Sequence, residues 1–148
     1  MDESRGLERR SSGGPWEDVV GYSRVVRSGE LAWVAGCTAV VDGAIVGEGD
    51  AYRQTLVAFD VARTALESVG MRLSDAVRTR MYVVPRSAAD EVGRAHSELF
   101  DAIRPVSTMV VVAGLIDPRL LVEIEIDACR PRTAHLLEGS HPANDSRS

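Results

Sequence analysis

The chain has 148 residues, 45% apolar and 26% charged, which suits one globular domain, and no apolar run approaches the ~20 residues that cross a bilayer. Its 17 basic residues are all Arg and stand against 22 acidic ones, for a net charge of −5. A Schiff-base lysine, a pyridoxal-phosphate enzyme and a Walker-type phosphate loop are therefore excluded, and the acidic balance without a basic run argues against nucleic acid as a partner.

In chain order, residues 1–14 read as a flexible N-terminal tail, residues 15–132 as the domain and residues 133–148 as a second tail. The start carries no apolar core of a signal peptide, so the expected location is the cytoplasm. From Tyr22, two β-rich runs surround Ser28-Gly29-Glu30 and a third follows Asp42-Gly43, a dipeptide that favours a tight hairpin. Residues 50–69 put Tyr52, Leu56, Phe59, Ala62, Ala65, Leu66 and Val69 on one helical face, with Asp50 as N-cap and Gly70 as the stop.

Residues 76–84 then alternate as a strand, and residues 87–103 repeat helical spacing through Val92, Ala95, Leu99 and Ile103 until Pro105. Residues 107–115 and 120–130 are two further strands. In the last, Val122, Ile124 and Ile126 face one way and Glu123, Glu125 and Asp127 the other. The predicted fold is α+β, a mixed sheet with two helices on one face.

Three carboxylates on one strand suit acid–base chemistry if their face is covered and otherwise form a solvated outer face. Adjacent Val111 and Val112 imply two apolar sheet faces, the second covered by another subunit. Arg78, Arg80 and Tyr82 share one face, opposite Val77, Thr79, Met81 and Val83, and suit an interfacial ion-pair network better than a substrate clamp. Cys37 and Cys129 read as free thiols, and Cys37 has no sequence neighbour that would activate it. His96 is the one histidine outside the tails, read as a surface or cap-side imidazole, so no metal site is expected; Trp33 and Met109 read as core.

Three stretches carry a family resemblance: GYSRVVRSGELAWVAGCTA (21–39), ALESVGMRLSDAVRTRMYVV (65–84) after Gln54, and the pair RPVSTMVVVAGL (104–115) and LVEIEIDA (121–128). Together they resemble the reactive intermediate deaminase family, RidA or YjgF-like. The resemblance implies a chorismate-mutase-like fold, a homotrimer with a central barrel, and cofactor-free hydrolysis of enamines and imines in clefts between subunits. It implies that Glu125 positions the attacking water, that Tyr22 and Gly36 line the cleft, and that Ser107 stands where typical members carry a carboxylate-binding arginine. Ala35 and Gly93 replace a serine and an asparagine in the same comparison.

With those polar groups gone, a larger or neutral ligand is expected in place of a simple 2-imino acid. Thr38, Ser107 and Thr108 would donate hydrogen bonds, Cys37 and Met109 would line the wall, and Arg80 or Arg104 is the candidate to replace the lost guanidinium. Three function classes follow: an imine or enamine hydrolase, a non-hydrolytic isomerase or cyclisation catalyst, and a ligand-binding trimer without turnover. Ribonuclease activity, attributed to some members, finds little support in an acidic chain.

Overall fold

The computed structural model describes residues 6–133. The elements run β1 (Leu7–Arg10), α1 (Pro15–Val20), β2 (Val25–Ser28), β3 (Leu31–Cys37), β4 (Val40–Val41), β5 (Ala44–Ile45), α2 (Ala51–Ser68), β6 (Ala76–Val83), α3 (Ala89–Phe100), β7 (Val106–Val111) and β8 (Val122–Cys129). Six strands form one sheet in the order β1-β2-β3-β8-β6-β7, antiparallel except for the parallel β6–β7 pair. The mixed sheet with two main helices agrees with the α+β expectation.

Alternation fixes which side of the sheet is dry. Val122, Ile124 and Ile126 of β8 are fully buried against Phe59 and Leu66 of α2 and Phe100 of α3, each large side chain contributing about 1.5–3 kcal/mol. The Asp50 side chain accepts from the backbone N–H of Arg53 and caps α2 as expected. Phe59, Ala62, Ala65, Leu66 and Val69 of the predicted face are buried, and the buried stripe of α2 also takes in Gln54, Thr55 and Ala58. Tyr52 sits at its margin, donating to Glu98 of α3. At Asp42-Gly43 both residues take positive φ, 50° and 78°, the conformation that lets β4 and β5 close as a two-residue hairpin.

Several expectations are corrected. The N-terminal segment read as a tail contains β1, which pairs with β2 from Leu7↔Ser28 to Arg10↔Val25; a four-residue charged edge strand carries too little apolar periodicity to be legible. The short helix α1 was also not predicted. The C-terminal tail lies, from residue 134, outside the described residues. Trp33 is 43% exposed and not core, because it stands on the face away from the helices. Val77, expected inward with Thr79, is 46% exposed because the β6–β8 register slips between Ala76 and Arg78 and Val77 is the extra residue. A second slip, between Val34 and Cys37 of β3, inserts Gly36 opposite β8. Among the described residues no helix is long and apolar enough to cross a membrane.

Candidate functional site

The face of the sheet opposite the helices carries the charges. Arg78 pairs in register with Asp127, Arg80 with Glu125 and Tyr82 with Glu123. Arg80 Nη1 lies 3.5 Å from both Glu125 Oε2 and Asp127 Oδ2, and Arg78 Nε lies 3.6 Å from Asp127 Oδ2. The Tyr82 hydroxyl donates to Glu125 Oε1 at 3.0 Å. Pairs this exposed contribute about 0.2–1 kcal/mol each, which suits the ion-pair network read from the sequence. Leu31, Trp33, Val106 and Val110 leave apolar surface around these charges.

At the end of this face, the β3 bulge brings Gly36 directly over Glu123: a Cβ built on Gly36 would lie 2.0 Å from Glu123 Oε1. The Glu123 carboxylate is half-buried, and none of the described residues hydrogen-bonds it. Burial pushes its pKa above the ordinary value, the neighbouring Glu125 pushes it further, and Arg24 pulls it back. A partly desolvated carboxyl with a raised pKa and no hydrogen-bond partner among the described residues is suited to proton transfer.

Arg24, absent from the sequence candidates, organises the rest. Its Nη1 donates to Gly36 O at 2.5 Å and lies 3.5 Å from Cys37 Sγ, its Nη2 lies 3.4 Å from the Tyr22 hydroxyl, and its guanidinium carbon sits 5.6 Å from the Tyr22 ring centroid. Its Nε reaches Glu17 Oε1 at 3.3 Å. Glu17, 2% exposed, also accepts from the hydroxyls of Ser11 and Ser12 and from the Ser12 N–H. Burial raises the Glu17 pKa, but these hydrogen bonds and Arg24 outweigh it and hold the carboxyl below its ordinary value. Cys37, 1% exposed, is pushed up to about 11 by burial despite Arg24 beside it, so it is a neutral wall group and no nucleophile near pH 7.

The residues singled out in the sequence thus separate into three groups. Tyr22, Gly36 and Cys37 gather around Arg24 and Glu123. Glu125 and Arg80 form the neighbouring ion pair, with Thr108 beside Arg80 in register on β7. Ser107 and Met109 belong to the helix-facing side of β7: Ser107 is bonded to Thr79, and Met109 packs against the core beside Gly93. His96 is not a surface imidazole. Its ring stacks on Phe100 at 4.7 Å and meets Phe59 edge-on at 5.8 Å, with Nε2 2.8 Å from the Thr79 hydroxyl. Arg104 is exposed and pairs with Asp101, away from these groups.

Arg24 lies inside the first recognisable stretch, two residues after its partner Tyr22, but Glu17, Gly36 and Cys37 lie 7 to 13 residues away and no local spacing announces them. Among the described residues no three His, Cys, Asp or Glu side chains gather as a metal site. A charged depression between Glu8, Arg27, Glu30, Arg130 and Arg132 touches none of the site residues. Arg27 and Arg130 there are occupied by the carbonyls of Gly29, Val69 and Gly70.

A mixed sheet carrying two helices on one face, with a carboxylate and tyrosine cluster on the other, defines the chorismate-mutase-like α+β class. Residues 16–130 match the family model described as Endoribonuclease L-PSP. The chain belongs to this family, also called YjgF or RidA. It is 45% identical over 127 residues to the Streptomyces coelicolor protein SCO2049, covering 86% of this chain and 95% of that one. The crystal structure of Rv2704 from Mycobacterium tuberculosis, a member of the YjgF/YER057c/UK114 family, is similar at 46% identity and a TM-score of 0.76, covering 84% of this chain and 99% of that one. The protein PA3499 from Pseudomonas aeruginosa is similar at 31% identity and a TM-score of 0.71, covering 83% and 92%.

Proposed function

We propose that the chain is a cofactor-free enzyme acting on a reactive imine or enamine in a cleft between the subunits of a homotrimer, with Glu123 as its acid–base group. The observation that carries this reading is the Glu123 carboxylate itself: half-buried, unbonded among the described residues and raised in pKa beside Gly36. Glu125, the group the resemblance selects, is held by Tyr82 and Arg80. Its contribution is to add to the upward push on the Glu123 pKa.

In the hydrolytic cycle Glu123 accepts a proton from water as the water oxygen adds to the imine carbon. The C=N bond becomes a C–N single bond as Glu123 passes that proton to the nitrogen, giving a carbinolamine. Glu123 then takes the carbinolamine O–H proton and gives it to the amine as the C–N bond breaks and C=O forms, so that imine and water become carbonyl and ammonia and Glu123 is regenerated. A carboxyl with a raised pKa both takes up and returns a proton more readily, and general acid–base catalysis of this kind is worth about 100- to 10,000-fold in rate. The exposed Leu31, Trp33, Val106 and Val110 on the charged face support a second copy covering it.

The test is hydrolysis of imines made in situ by an amine oxidase or an amino-acid oxidase, followed by trapping the imine that escapes. Glu123→Gln is expected to lose about 100-fold or more, whereas Glu125→Gln retains turnover with its acid limb moved to lower pH. Loss in Glu125→Gln alone would return the role to Glu125, and full activity in both variants would favour a ligand-binding protein without turnover. Sedimentation equilibrium checks the assembly, which is expected at three times the 16.0 kDa chain mass.

A further inference from the structure

The bulge in β3 leaves backbone polar groups to be satisfied, and a residue outside the β3–β8 ladder satisfies them. The register slip keeps Ala35 and Gly36 out of the β3–β8 pairs, and the extra residues of a bulge lose their ladder partners. The main-chain carbonyl of Arg24 accepts from the Ala35 N–H at 2.9 Å. Its Nη1 donates to the Gly36 carbonyl at 2.5 Å and lies 3.5 Å from that of Ala35. Arg24 therefore holds the segment that sets Gly36 over Glu123. Its Nη2 lies 3.4 Å from the Tyr22 hydroxyl.

The direction of that guanidinium is set from its other edge. Nε donates to Glu17 Oε1 at 3.3 Å, and the two side chains are only 12% and 2% exposed. Ser11 and Ser12 donate to the two Glu17 oxygens, and the Glu17 main-chain carbonyl accepts from the Tyr22 N–H at 3.0 Å. An ion pair this buried adds little net stability, because the desolvation of both charges offsets their attraction. A planar guanidinium fixed along one edge does, however, present its remaining N–H groups in one direction. The groups around Glu123 are Cys37 from β3, Tyr82 from β6 and Glu125 on its own strand, while Arg80 of β6 is held by Glu125 and Asp127. Against the upward push of burial and Glu125 on Glu123, Arg24 is the opposing cation.

We propose that Arg24, locked in place by the buried Glu17, is the positioning residue of the acid–base site: it braces the β3 bulge that sets Gly36 over Glu123, orients the Tyr22 hydroxyl, and supplies the counter-charge to the Glu123 carboxylate. Glu17 acts through Arg24 and is a positioning residue in turn. This deepens the reading of Glu123 as the acid–base group and rests on it. Arg24 has two separable roles. Its charge acts on the protonation of Glu123, and its fork of donors acts on the placement of Glu123 through the bulge. The segment carrying Ser11, Ser12 and Glu17 thereby reaches the site although it lies before β2 in the chain and forms no part of β3 or β8.

The test reads Glu123 with and without turnover. In the full chain labelled with ¹³C-glutamate, the Glu123 carboxyl signal is assigned by its absence in Glu123→Gln and followed through a pH titration, and imine hydrolysis is measured on the same proteins. Arg24→Gln removes the cation, so the Glu123 midpoint should move to higher pH and kcat should fall about 10- to 100-fold. Arg24→Lys keeps the charge without the fork, so kcat should fall while the midpoint stays at the parent's. Glu17→Gln, which leaves Arg24 in the chain, should also lower kcat, and it keeps the test open if Arg24→Gln fails to fold. A merely structural pair would lower the melting temperature of these variants and leave midpoint and kcat parental. That result overturns the proposal, as does an Arg24→Gln midpoint at or below the parent's. A parent chain that hydrolyses no imine while the midpoint shifts as expected would sink the enzymatic reading and leave the hold of Arg24 on Glu123 standing.

Discussion

Replacing Gly36 by alanine separates the site from the fold. Gly36 has no positive φ, so alanine suits its backbone, and the loss of glycine's freedom in the unfolded chain stabilises by about 0.4–1 kcal/mol. The new Cβ would lie 2.0 Å from Glu123 Oε1, 2.9 Å from Cδ and 3.2 Å from Cγ, while real Cβ contacts stay beyond 3.0 Å. The carboxylate must therefore retreat by about 1 Å, which it does by rotating a flexible side chain and without moving backbone. A misplacement of that size costs on the order of 100-fold in rate. Gly36→Ala should thus melt at or slightly above the parent temperature by circular dichroism while its kcat for imine hydrolysis falls about 100-fold. Because the effect runs through one carboxylate, Gly36→Ala with Glu123→Gln should be no slower than Glu123→Gln alone. An alanine variant with parental kcat, or a double variant slower by the product of the two losses, would refute the coupling of Gly36 to Glu123.

Three other outcomes follow from the same geometry. Glu17 has its carboxyl held below the ordinary value of 4.5, so its stabilisation is complete above that pH and is lost as pH falls through the lower folded value. Glu17→Gln should flatten the acid limb of urea-denaturation stability, and an unchanged limb would show that the Ser11, Ser12 and Arg24 contacts do not form in solution. Gln54, fully buried, accepts from the Leu121 N–H at 2.8 Å and donates to the carbonyls of Arg119 at 2.9 Å and Gly47 at 3.2 Å. Gln54→Leu should cost about 2–4 kcal/mol by stranding those backbone groups, and a urea midpoint equal to the parent's would contradict it. Cys37, with a thiol pushed up to about 11, should resist iodoacetamide at pH 8 in the native protein while the half-buried Cys129 reacts; peptide mapping that finds Cys37 modified first would show the β3 bulge open.

Much of the architecture is local in origin and was therefore legible. Apolar residues every second position specify β8 and its buried face whatever lies beside it, and Asp50 caps α2 through a bond to Arg53 three residues on. The three stretches that carry the family resemblance are likewise read along the chain, and they led to the correct fold. What the tertiary structure alone decided are the relations between strands. Two register slips turn Val77 outward and set Gly36 over Glu123, and no one-dimensional periodicity contains a slip. Alternation put Glu123 and Glu125 on one face with equal claims. Only the partners across the sheet distinguish them, since Tyr82 and Arg80 occupy Glu125 while Glu123 is left unbonded among the described residues and raised in pKa. In the same way Arg24 gains its meaning from Glu17, Gly36 and Cys37, and His96 from Thr79 and Phe100. Hydrophobic burial follows a local pattern because it is non-directional, whereas hydrogen bonds and charge pairs depend on ångström-scale placement that exists only after the strands have paired.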